Sequence, residues 1–283
     1  MIGIFDSGFG GLAIFKDIAR LLPEYNYIYL GDSARAPYGC RSQEVIYKFS
    51  KDAVDFLFDK GCELIIVACG TASSEALKKL QQEYLPNKYP NRRILGIIRP
   101  LAEEAVRTTR FGRVGVVGTT STIESNSFAR ELEKANMVSL VNVGVERHIG
   151  CSTPLEIHQK ACPLLVPLIE GGWIKKPETK MILKKYLREL KQKRVDTLIL
   201  GCTHYSLLFK DFQRAMGKSC SVLDGGKIVS ESLKNYLERH PEIEKKLKKD
   251  GKKIFLTTDD AIAFAKLGSR FLGESFEAEQ VEL

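Results

Sequence analysis

The chain has 283 residues, 44% hydrophobic and 28% charged, enough for one large or two medium α/β domains of about 100 to 200 residues each. That balance excludes a disordered or fibrous chain, and no apolar run approaches the roughly 18 to 20 residues of a membrane span. The formal net charge of +8 sits largely in helix-like stretches such as "KKPETKMILKKYLRELKQKR" and "EKKLKKDGKK", interleaved with acids and without a recognised nucleic-acid motif.

Taken in order, short apolar β-branched runs alternate with amphipathic ones. Strands are expected at 2–5, 27–31, 64–69, 94–98, 113–118, 138–144, 197–202, 221–225 and 253–258. Helical spacing runs through 42–61, with Val45, Ile46, Phe49, Val54 and Leu57 on one face and Gly61 as the stop. It recurs over 178–194 with Ile182, Tyr186, Leu187 and Leu190. The alternation predicts an α/β fold with mainly parallel sheets flanked by helices.

The order echoes itself. "IGIFDSGFGG" followed by "LIIVACGTA" parallels "VGVVGTTST" followed by "LILGCTHY". Two similar α/β domains are therefore expected. We place one over 1–97 and 209–283 and the other over 98–208, the first crossing lying near "IIRPLAEEA", where Pro100 opens a helix. Each echoed motif ends a strand, and in open α/β sheets ligands sit beyond the carboxyl ends of strands.

"DSGFGGLA" at 6–13 fits G-x-G-x-x-G/A, with Asp32 about where a ribose-binding acid would stand. A dinucleotide reading thus stays open, although Asp6 at the strand end would repel a pyrophosphate. Seven scattered cysteines suit reduced thiols in a cytoplasmic protein, and the start "MIGIFDSGFGG" lacks the pattern of a signal peptide. Either Cys69 or Cys202 alone would read as a small buried hydrophobe. Zinc would prefer CxxC spacing or more than four histidines, of which His148, His158 and His240 have no cysteine motif around them. A Cys–His hydrolase would use Cys202 and His204 but leave Cys69 unexplained. Two thiols facing one carbon suit proton exchange at a stereocentre: one thiolate removes the α proton and one thiol returns a proton to the other face.

The motifs "IGIFDSGFGGL", "YLGDSARAPYG", "VACGTAS", "VGVVGTTSTIES", "ACPLLVPLIEGG", "LILGCTHYSLL", "FLTTDD" and "FLG" span the chain. In this order they resemble the glutamate racemases of the cofactor-independent aspartate/glutamate racemase superfamily. The resemblance implies a two-domain fold with the active site between the domains, and an isomerase interconverting L- and D-glutamate. D-glutamate would serve peptidoglycan synthesis, and with it cell-wall biogenesis and cell shape. No cofactor or metal is expected, nor a nucleic-acid or membrane partner; the residues leave the oligomeric state, a homodimer included, open.

Carried over position by position, the resemblance makes Cys69 and Cys202 the paired acid/base thiols. Asp6 is implied to hold the ionisation state of Cys69, with Ser7 beside it in the substrate site. Glu170 and His204 become assisting groups around Cys202. Tyr38 and Gly39 would line the site, and Thr71, Thr119, Thr122 and Thr203 would hydrogen-bond the substrate. Two positions depart from the pattern. Gly70 stands where the family usually has Asn, so a side-chain amide is missing from the substrate site, and Ser206 stands where it usually has Pro. Racemisation of aspartate, and a racemase-like binding or regulatory protein altered at Gly70, are the alternatives.

Overall fold

A computed structural model describes residues 1–141 and 155–283 of the chain. It divides into two compact units, Met1–Ile97 with Gly226–Leu283, and Ile98–Gly225. The second crossing therefore falls at 225/226 rather than 208. The reason is strand β8 (Ser221–Leu223), which pairs with β7 (Thr197–Leu200) and belongs to the second sheet.

The first unit holds six parallel strands in the order β10-β9-β2-β1-β3-β4. They span Ile2–Asp6 (β1), Tyr27–Gly31 (β2), Leu64–Val67 (β3), Arg93–Gly96 (β4), Lys253–Thr257 (β9) and Glu279–Gln280 (β10). Every residue of β1, β2 and β3 is buried, as a sheet covered on both faces requires. Phe15, on the helix Leu12–Leu21, meets Tyr27 and Phe255 edge-on, with ring centroids 5.5 and 5.3 Å away. The helix Gln43–Asp59 begins at Ser42, whose Oγ accepts from the Val45 N–H, a cap worth about 1 kcal/mol. It is followed by Gly61 at φ +84°, where a side chain would be strained.

The second unit holds four parallel strands in the order β6-β5-β7-β8, with β5 at Arg113–Gly118 and β6 at Glu156–Ala161. Leaving aside β9 and β10, both sheets share one order: second strand, first, third, fourth. The echo between sequence motifs is thus an echo of position, since β1 corresponds to β5 and β3 to β7. In each sheet the first strand is flanked by the second and third, so the chain leaves it in opposite directions and opens a crevice at its carboxyl end.

Two expectations about elements need correction. The strand at 138–144 is instead the end of a helix, Ser127–Val141, whose buried Phe128 and Leu132 anchor it and which packs on the helix Ile98–Thr108; 142–144 lie outside the described residues, as do His148 and Cys151. Strand β6, "EIHQKA", was not expected, because it is a half-exposed edge strand with polar residues at most positions. No helix among the described residues is long and apolar enough to cross a membrane.

Candidate active site

In the first unit the loops after β1 and β3 meet. Asp6 is the last residue of β1 and is buried, and Gly11 explains how it fits: a Cβ there would stand 2.7 Å from the Asp6 Cβ and 3.0 Å from that of Ala68. Cys69 follows β3 by two residues and caps the short helix Gly70–Glu75. Its Sγ accepts from the Ala72 N–H at 3.4 Å and lies 3.3 Å from the Ser7 Oγ. Gly70 and Thr71 form the first turn and are buried. Tyr29, at the centre of β2, donates to the Gly8 carbonyl at 2.9 Å; burial, with Asp6 and Cys69 nearby, raises its pKa far above the ordinary tyrosine range.

Tyr38 and Gly39 lie on the single turn Tyr38–Cys40, which packs against the helix Gly70–Glu75; Tyr38 shares a buried cluster with Phe5 and Cys69. The Tyr38 hydroxyl donates to Asp32 Oδ2, which also accepts from Arg35 Nε at 2.7 Å, while Asp32 Oδ1 accepts from Thr258 Oγ1 at 2.8 Å. Both oxygens of this fully buried carboxylate are thus occupied by protein donors, so Asp32 does not serve a ribose as the dinucleotide reading needed. Burial first, then Asp32, raises the Tyr38 pKa well beyond the ordinary tyrosine range. Its phenol is a donor at every ordinary pH.

In the second unit the corresponding loops follow β5 and β7. Thr119 caps the helix Thr120–Glu124; its Oγ1 accepts from the Thr122 N–H at 3.3 Å and stands 2.9 Å from the Thr122 Oγ1. Gly201 lets β7 end close to β5: a Cβ there would meet Phe128 at 2.9 Å and the Val117 carbonyl at 3.0 Å. Cys202 and Thr203 follow, both buried, at the start of the 3-10 turn Thr203–Leu208. His204 Nδ1 lies 3.9 Å from Cys202 Sγ, and its Nε2 lies 3.0 Å from Glu170 Oε1.

Glu170 ends the helix Leu165–Glu170 with its side chain 38% exposed, whereas the His204 side chain is 8% exposed. Burial by itself lowers an imidazole pKa. Here hydrogen bonds and charge from Cys202 and Glu170 outweigh burial and raise that of His204 to about 10. The imidazolium is a cation fixed beside one thiol.

Sequence reasoning missed the residues that hold these loops. Tyr205, fully buried, donates to the carbonyls of Gly118 at 3.1 Å and Cys162 at 3.0 Å, tying the loop after β7 to the ends of β5 and β6. Ser206 Oγ donates to the Thr203 carbonyl at 2.8 Å and so closes the turn at the position where the resemblance leads one to expect Pro. Cys162 is buried, and burial raises its thiol to about 12, unsuited to a thiolate role. Among the described residues no group of three His, Cys, Asp or Glu side chains is placed to hold a metal ion.

The family model of the Asp/Glu/Hydantoin racemases matches residues 2–233. The chain belongs to the Asp/Glu/Hydantoin racemase family. As a member of this racemase family it is an isomerase. A glutamate racemase of Sulfurihydrogenibium sp. (strain YO3AOP1) is 38% identical over 283 residues, covering 100% of this chain and 97% of the relative. Among solved structures, a glutamate racemase isoform from Bacillus anthracis superposes with a TM-score of 0.86 at 30% identity, covering 100% of this chain and 97% of that one. Glutamate racemase from Francisella tularensis subsp. tularensis SCHU S4, solved in complex with D-glutamate, gives 0.83 at 30% identity, covering 99% and 97%. These racemase structures share the two parallel sheets flanked by helices described above.

Proposed function

We propose that this chain is a glutamate racemase that interconverts L- and D-glutamate by proton exchange at the α carbon between two thiols. The observation that carries the reading is the repeated placement of a cysteine: Cys69 after β3 and Cys202 after β7, at equivalent crevices of two sheets with the same order. Each domain-like unit contributes one thiol with its own assistants. A thiolate takes the α proton as the C–H electron pair stays on carbon. The opposite thiol then gives its proton to the other face of that carbanion. One thiol has gained a proton and the other lost one, so protons must be exchanged with solvent before the next turnover in the same direction.

By family resemblance we assign Cys202 to proton removal from L-glutamate and Cys69 to removal from D-glutamate. The imidazolium of His204, held by Glu170, steadies negative charge on the Cys202 sulfur, and the Ser7 hydroxyl and Ala72 N–H do so at Cys69. Asp6 assists Cys69. Ser7, Tyr38, Gly39, Gly70, Thr71, Thr119, Thr122, Thr203 and His204 form the substrate contacts.

Glutamate is preferred to aspartate because the relatives that match the chain over nearly its full length carry the name glutamate racemase. Retention of both thiols favours an enzyme over a binding protein. The same reading places the protein in the cytoplasm, supplying D-glutamate to peptidoglycan, with a homodimer as the assembly to examine by sedimentation. The test is incubation of the purified protein with L-glutamate in deuterated water without added cofactor. D-glutamate carrying deuterium at the α carbon is the expected product. Inversion without deuterium uptake, dependence on pyridoxal phosphate, or faster turnover of aspartate overturns the reading.

A further inference from the structure

The motifs "GDSARAPYG" and "FLTTDD" lie more than 200 residues apart, and neither Asp32 nor Thr258 has a part in the proton exchange. They meet at one carboxylate. Asp32 stands just past β2, fully buried, and accepts from the Tyr38 hydroxyl, from Arg35 Nε at 2.7 Å and from Thr258 Oγ1 at 2.8 Å. Thr258 Oγ1 in turn accepts from the Ala34 N–H at 3.0 Å, and Arg35 Nη1 donates to Asp52 at 2.9 Å. The Arg35 guanidinium also lies over the Phe49 ring, whose other neighbour is Tyr38, 5.6 Å between centroids. Three segments that follow β2 and β9 are thus locked to one another, and the part nearest the chemistry is the Tyr38–Cys40 turn, packed on the helix that Cys69 caps.

We propose that Asp32 is a positioning residue for the racemisation reaction: by holding the Tyr38 hydroxyl it keeps the Tyr38–Cys40 turn against Cys69, shielding that thiol and shaping the substrate contacts of Tyr38 and Gly39. The role in substrate binding rests on the racemase reading; the shielding of Cys69 does not. Because the phenol is a permanent donor and its proton is directed to Asp32, Tyr38 takes no part as acid or base. The Asp32 carboxylate exchanges no proton with substrate. It acts through Tyr38, with Thr258 and Arg35 keeping it in place.

The experiment compares Asp32→Asn, Tyr38→Phe and the double variant by two readouts in the full-length protein. The first is KM and kcat for both enantiomers. Losing a hydrogen bond to a buried charge corresponds to about a tenfold effect, expected in KM, with kcat falling less than about threefold. Both substitutions act on the same bond, Asp32→Asn by removing its charge and Tyr38→Phe by removing its hydroxyl, so the double variant should be no worse than the poorer single one. The second readout is iodoacetamide alkylation of Cys69 relative to Cys202 in the same sample, followed by peptide mass spectrometry. A loosened turn should speed Cys69 several-fold while Cys202 is unchanged, a pattern general loosening would not give.

A KM within twofold of wild type, independent effects in the double variant, or unchanged relative alkylation of Cys69 overturns the proposal. If Asp32→Asn does not fold, Tyr38→Phe alone decides, because it keeps the ring and removes only the hydroxyl. If the wild-type protein fails to racemise glutamate, the racemase reading falls by itself, and the alkylation ratio still decides whether Asp32 holds the turn over Cys69.

Discussion

Replacing Glu170 by Gln removes a charge 3.0 Å from His204 Nε2 while keeping the shape of the side chain. The gap between the ordinary imidazole value of 6.5 and about 10 corresponds to about 5 kcal/mol in favour of the imidazolium. Cys202 and Glu170 both contribute, and the Glu170 side chain is 38% exposed, so after allowing for solvent its share is about 1 to 2 kcal/mol. The folded value is the higher one. This stabilisation is therefore fully present below about pH 6.5 and is lost as pH rises through about 10. Urea unfolding of Glu170→Gln at pH 7 should show a deficit of about 1 to 2 kcal/mol that disappears above about pH 10. The His204 resonance should titrate about one pH unit lower than in wild type, so the imidazolium still predominates at pH 8 and turnover from L-glutamate should fall below that of wild type chiefly as pH rises above about 8.5. Equal stabilities at pH 7, or a wild-type imidazole titrating near 6.5, would refute the account of His204.

The two thiols should separate by direction. With α-deuterated substrate, Cys202→Ser should raise the primary isotope effect mainly from L-glutamate and Cys69→Ser mainly from D-glutamate; a swapped pattern reverses the assignment, and a fully active single variant ends the two-thiol mechanism. Gly70→Asn should lower KM for glutamate by up to about a hundredfold, since a charge-assisted hydrogen bond contributes roughly 1.5 to 3 kcal/mol. Gly70 has helical backbone, a conformation Asn adopts, and an unchanged KM in folded protein would show that the site works without the amide. Tyr205→Phe removes the phenol from two carbonyls that keep their backbone donors, the Cys162 and Leu165 N–H groups, and should cost about 0.5 to 1.5 kcal/mol in urea unfolding, with slower turnover in both directions. A loss below about 0.5 kcal/mol, the size of an ordinary surface substitution, would mean that Tyr205 does not fasten the loop.

The strands that carry the chemistry were legible because they are apolar over their whole length and end abruptly in polar residues. β1, β3, β5 and β7 and the positions of Asp6, Cys69, Thr119 and Cys202 follow from that contrast. β6 was not legible, since an edge strand keeps "EIHQKA" polar and erases the period. The run at 138 misled for the opposite reason: its β-branched residues suit a strand, but Phe128 and Leu132 have already committed the helix that includes its start. The second crossing falls later than expected because the strand expected at 221–225 pairs with β7 in the second sheet, and a strand's partner is not written in its own pattern. Within the site, the thiols and their hydroxyl and imidazole neighbours could be named from local motifs. The supports Asp32, Thr258 and Tyr205 could not, because their partners are brought near only by the sheet.

The first unit is discontinuous in sequence, and this has a consequence for synthesis on the ribosome. The chain emerges with β1 to β4 first, and until Lys253–Thr257 is made, β2 is the outer strand of that nascent sheet. Its "YIYLG" backbone then offers unpaired N–H and C=O groups along a fully apolar stretch, the kind of edge that recruits other strands. Ile98–Gly225 is complete by then and can fold without waiting. The Cys202 half of the chemistry is thus finished while the Cys69 half still lacks its last strands. A chain cut between residues 225 and 253 would hold every residue of the second unit but only an open, adhesive sheet of the first.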